Sequence, residues 1–156
     1  MKLRFVLTPL TRQTELPKKL AVLGSATPIV RIFATILIHS TEKDLILKGK
    51  AVIDTGAILS LLPSDILKQL PARKTFSHTL WGIVDKKECL LDVRLASIPV
   101  TLIDDFGMIA HEINIVCAFT EEQRAPMLLG MKDFLEKFKY EYDQVTKEFS
   151  IYFPKL

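Results

Sequence analysis

Short apolar runs rich in branched residues recur along the chain, and turn chemistry ends each of them. "IVRIFATILIH" (residues 29–39) and "DLILKGKAVID" (residues 44–54) flank the charged "STEKD", which is the pattern of a β-hairpin. Further strands fit "KTFSHTLWGIV", "ECLLDVRLA", "IPVTLI" and "HEINIVCAF", with turns at "VDKKE", "SIP" and "DDFG". Two stretches keep a helical period instead. In "LLPSDILKQL" the apolar residues Leu62, Ile66 and Leu70 recur every four residues and Pro63 suits a first helical turn, and in "MKDFLEKF" Met131, Phe134, Leu135 and Phe138 form one stripe. The last segment, "KFKYEYDQVTKEFSIYFPKL", reads as a hairpin turning at "DQVTK" with alternating aromatics on both arms. The expectation is an all-β chain with one or two short helices.

At 156 residues and 49% hydrophobic content, the chain is the size of one domain with its own core. Residues 1–27, which include Pro9 and Pro17, have the weakest pattern and are read as an arm on the domain surface. The 21 basic and 18 acidic residues are dispersed, so no nucleic-acid-binding stripe stands out. The start, "MKLRFVLTPLTRQTELP", has too short an apolar run for a secretory leader. The most apolar window, "IVRIFATILI", contains Arg31 and falls far short of a membrane span. A cytoplasmic chain with no membrane or nucleic-acid partner is the expectation. Cys89 and Cys117 stand far apart without a CxxC pair, so they are read as reduced structural thiols, with no metal site and no cofactor.

One acid breaks the apolar logic. In "KAVIDTGAILSLLP", Asp54 ends a buried run and is followed by Thr55, Gly56 and Ala57, small residues that allow a tight turn. A carboxylate there can be fixed by backbone amides while its apolar flanks limit water, which is the setting of a tuned acid. An ordinary Asp-Thr-Gly hairpin turn is the structural alternative.

With its surroundings, the motif resembles that of the retropepsin-like aspartic peptidases, single-domain relatives of the pepsin fold, over residues 28–153. Val52-Ile53-Asp54-Thr55-Gly56-Ala57, then Ser60, and later Leu128-Leu129-Gly130 stand where that family has its catalytic loop and the glycine beneath it. The resemblance implies a closed β-barrel with a flap hairpin. It implies Asp54 as the catalytic acid, Thr55 as the hydroxyl gripping its symmetry mate, and Gly56 as a backbone approach to substrate. Ala57, Ser60 and Gly130 would support the loop. No second Asp-Thr-Gly or Asp-Ser-Gly exists in the chain, so the acid pair requires a homodimer. The terminal runs "KLRFVL" and "EFSIYF" are expected at its interface, as apolar strands without a partner. Because Ala57 cannot hydrogen-bond the carboxylate as a serine would, activity is expected at only mildly acidic pH.

"KTFSHTLWGIVDKKECLLDVRLA" is the candidate flap, with its tip near residues 82–87, and Ile58, Leu59, Trp81, Gly82, Ile83 and Val84 are the expected cleft and flap residues. Trp81 suits the cleft or the core equally, and His78 is read as solvated or core rather than a base. Viral members often pair an acid at the position of Ile58 with an arginine at that of Met131, and here both are apolar. Losing both partners together avoids stranding a buried charge. Two functions follow from these residues. One is an aspartic endopeptidase acting on peptide or protein substrates, compatible with removal of its own N-terminal arm near residues 16–30. The other is a non-catalytic dimer that binds extended segments or a protein partner.

Overall fold

The computed structural model describes residues 1–9, 30–40, 46–70, 74–80, 90–121 and 125–154. Its order is β1 (Lys2–Pro9), β2 (Val30–His39), β3 (Ile46–Ile53), β4 (Ser60–Pro63), α1 (Ser64–Gln69), β5 (Phe76–Leu80), β6 (Leu91–Ile103), β7 (Ile113–Thr120), β8 (Leu128–Leu129), a 3-10 turn (Leu135–Lys137), β9 (Lys139–Asp143) and β10 (Glu148–Tyr152). These strands form one sheet in the order β5-β6-β7-β4-β8-β3-β2-β1-β10-β9. An added pairing of β6 with β2 closes the middle of that sheet into a ring.

Alternation fills the core. On β1 it buries Leu3, Phe5 and Leu7, on β2 Ala34, Ile36 and Ile38, and on β3 Ala51 and Ile53, while the residues between them are more exposed. The core continues through Ile98, Leu102, Ile115, Phe134, Phe149 and Ile151. Cys117 is buried there as a free thiol, and burial pushes its pKa up, so it stays protonated. Cys89 lies outside the described residues.

Three expectations change. Lys2–Pro9, read as part of a surface arm, is an integrated strand that pairs with β10 through residues 2–6 and with β2 through residues 7–9. "SIP" is no turn, because β6 runs through it as one strand of 13 residues. At that point β6 changes neighbours: residues 91–95 pair with β5 and 100–103 with β2, while β7 pairs along the other side. Pro99, having no N–H to donate, sits in the gap between those partners.

"MKDFLEKF" forms tight turns and a 3-10 turn instead of an α-helix. The N–H groups of Met131 and Lys132 donate instead to Ala57 O and Ile58 O at 2.8 Å each, and Asp133 takes a positive φ of 59°. The predicted stripe is still buried at Phe134 and Leu135. α1 is also shorter than its pattern, with Leu62 in β4 and Pro63 as its extended N-cap.

Candidate active site

β8 positions the site. Val52 and Ile53 pair in parallel with Leu128 and Leu129, and Leu61 pairs antiparallel with Leu128, so the two strands on either side of residues 54–59 are zipped to the same dipeptide. Asp54 N donates to Leu129 O at 2.9 Å, which fixes the backbone where β3 ends. Asp54 as a residue is half-buried, and its Oδ1 accepts the Gly56 N–H at 2.9 Å in an exposed contact. A methyl group on Gly56 would stand 3.3 Å from that same oxygen, so the absence of a side chain keeps the carboxylate's approach open. Ala57 N closes the turn on Asp54 O at 3.3 Å.

Gly130 supports this loop from below. A Cβ there would lie 2.6 Å from the carbonyl carbon and oxygen of Leu59 and 2.8 Å from Ala57 O, distances no side chain can occupy. Its N–H donates to Ser60 Oγ at 3.1 Å in a fully buried contact. The structure thus brings together Asp54, Gly56, Ala57, Leu59, Ser60 and Gly130. Thr55 and Gly56 are exposed, and Ile58 is 78% exposed. Lys132, whose N–H helps to hold the loop, carries no signal in the sequence because the contact is purely backbone.

Trp81, Gly82, Ile83 and Val84 lie outside the described residues, as does the predicted tip of the flap. β5 and β6 pair from Phe76↔Leu95 to Leu80↔Leu91, as the arms of a hairpin do. His78 is exposed on β5. A groove of about 680 Å³ runs between α1 and this hairpin, lined among others by Leu67, His78, Arg94 and Phe119, and no predicted site residue borders it. "DDFG" is a structural turn. Asp104 Oδ1 accepts the N–H groups of Phe106 and Met108 at 2.9 and 2.8 Å, and its Oδ2 accepts that of Arg4 at 3.0 Å. Among the described residues no cluster of three or more His, Cys, Asp or Glu side chains suits a metal ion, and no helix is long and apolar enough to cross a membrane.

No protein-family model matches the chain, and no curated protein sequence matches it. Among solved structures, the chain is similar to a retropepsin-like aspartic protease from Rickettsia conorii, with 14% identity over 97% of this chain and 89% of that one, at a TM-score of 0.56. It also aligns with EIAV protease complexed with an inhibitor, at 22% identity over 69% of this chain and 86% of that one, with a TM-score of 0.41.

Proposed function

The chain has a retropepsin-like fold, and on that premise we propose that it is an aspartic endopeptidase completed by a second copy of itself. The observation that carries this reading is Asp54, a half-buried residue at a strand end whose carboxylate is held by Gly56 N at 2.9 Å in a loop clamped by Leu129, Gly130 and Ser60. A turn residue with only a local role would not need that buried support from 70 residues away.

Two such carboxylates brought together across a twofold axis cannot both ionise cheaply, so they share one proton. The ionised member takes a proton from a water molecule as that water attacks the scissile carbonyl, and the protonated member donates to the carbonyl oxygen. The apparent pKa values then belong to the pair. Gly56 N, bonded to Oδ1, fixes the carboxylate's orientation, and the exposure of Thr55 and Gly56 leaves that side of the loop open to a partner and to an extended peptide.

Asp54→Asn tests the proposal. It retains an oxygen to accept the Gly56 N–H but cannot take a proton from water. Turnover of a mixed peptide library at mildly acidic pH should fall by a factor on the order of a thousand, with the melting temperature held or raised. Full activity in the variant would move the chemistry elsewhere. A wild type that cleaves nothing, while both proteins bind the same peptides equally, would favour the binding module.

A further inference from the structure

Four consecutive amides in the segment under the Asp54 loop each have an acceptor. Gly130 N donates to Ser60 Oγ at 3.1 Å, Met131 N to Ala57 O and Lys132 N to Ile58 O at 2.8 Å each, and Asp133 N to Glu136 Oε1 at 2.8 Å. The middle two hold the backbone of the loop that carries Asp54. The outer two are held by side chains, one by the buried Ser60 hydroxyl and the other by a carboxylate at the protein surface.

Glu136 has more than one tie to this segment. Its own N–H donates to Met131 O at 3.0 Å, which anchors its backbone to the residue that bonds Ala57 O. The oxygen that accepts Asp133 N also lies 3.0 Å from Lys132 Nζ. Asp133 has a φ of 59°, a left-handed conformation that a side chain makes costly, so the turn gains from a hold at that residue. Lys137 pairs with the Asp133 carboxylate at 3.4 Å on the same turn. The Asp133 N–H first, and then Lys132, hold the Glu136 pKa below its ordinary value, so the acceptor stays ionised in mild acid.

We infer that Glu136 is a positioning residue: by fixing Asp133 N it sets where the amides of Met131 and Lys132 stand, and through Ala57 O and Ile58 O it sets the placement of the loop bearing Asp54. The inference rests on the reading of Asp54 as half of a catalytic acid pair. Glu136 reaches the loop only through backbone bonds, so its loss should blur the aim of the Asp54 carboxylate without removing a contact to substrate. Small displacements of a catalytic group cost rate steeply, whereas an exposed hydrogen bond adds little to global stability. The signature is a lower kcat with KM and melting temperature nearly held.

An ordinary surface ion pair is the alternative. Lys132 and Glu136 are four residues apart with both side chains exposed, and such pairs commonly influence nothing beneath them. Glutamine separates the two roles, since it keeps an oxygen for Asp133 N but has no charge for Lys132.

Glu136→Ala and Glu136→Gln test the inference, with turnover measured at enzyme concentrations where the rate per subunit is constant, so that association is not what is read. Glu136→Ala should lower kcat about tenfold, keep KM within about twofold and shift the melting temperature by less than about 4 °C. Amide exchange at Met131 and Lys132, followed residue by residue by NMR at one pH, should accelerate about tenfold or more. Glu136→Gln should recover most of both losses. An unchanged kcat in Glu136→Ala, or a fall that Glu136→Gln shares in full, would overturn the inference. A loss of turnover that only tracks a large drop in melting temperature would also overturn it, by making Glu136 a general stabiliser. A wild type without turnover would reject the peptidase reading; faster exchange at Met131 and Lys132 in Glu136→Ala would then retain the hold on the loop, and unchanged exchange would reject that as well.

Discussion

Gly130 is the position where one atom decides most. An added Cβ would stand 2.6 Å from Leu59's carbonyl group, with backbone on every contacting side, so nothing there can rotate away. Gly130→Ala should lower stability by about 3 kcal/mol through forced backbone movement, read by chemical denaturation, and should abolish turnover through the displaced loop. Ser60→Ala removes the acceptor of a buried N–H and fills no space in return. It should cost about 1–3 kcal/mol. Ser60→Thr, which keeps the hydroxyl, should recover much of that loss if the extra methyl is accommodated. Both residues were legible from motif spacing, because a local motif states its own loop. The reason each is needed was not legible, since it lies in a contact across 70 residues that no local pattern encodes.

At the scale of the element, strands and turns were read well where chemistry is local. The β9–β10 hairpin turns where expected, with the Asp143 carboxylate accepting the N–H groups of Thr146 and Val145 at 3.0 and 2.7 Å. Those bonds, that to Thr146 first, hold the Asp143 pKa below its ordinary value. A depressed folded-state pKa gives stability that is present above the unfolded value and lost as pH falls through the folded one. Acidification should therefore loosen this hairpin, seen as falling amide protection factors at residues 144–147 once exchange is corrected for its intrinsic pH dependence, and Asp143→Ala should abolish the pH dependence of those protection factors. Lys147, at a φ of 58°, is an ordinary side chain in the left-handed region, and Lys147→Gly should raise stability by about 1 kcal/mol in a thermal melt. The misread elements have separate causes. A helical stripe over residues 131–138 and a turn at "SIP" are sound local readings, but the left-handed Asp133 breaks the helical path of the first, and the second bridges two partner strands whose pairing overrides the turn.

For the molecule as a whole, the seam between β1 and residues 104–105 joins parts of the chain that are 100 residues apart. Asp104→Asn would put a donor where an acceptor is needed for at least one of the N–H groups of Arg4, Phe106 and Met108, and should lower stability by about 2 kcal/mol, measured as a shift in urea midpoint. The all-β class was readable from the sequence, whereas the in-chain closure of β1 by β10 was not, because an apolar terminal strand looks the same whether its partner is its own chain or another. That closure also governs how the molecule comes into being. The bond from Met1 to Phe153 spans 152 residues, so β1 must wait for a segment synthesised that much later before its edge is paired with β10. Such long-range pairings make contact order high and folding slow. During translation the ring strands can meet first, while Leu3, Phe5 and Leu7 remain uncovered on a strand whose main partner has not yet emerged, and that interval is when the nascent chain is most open to aggregation and to chaperone capture.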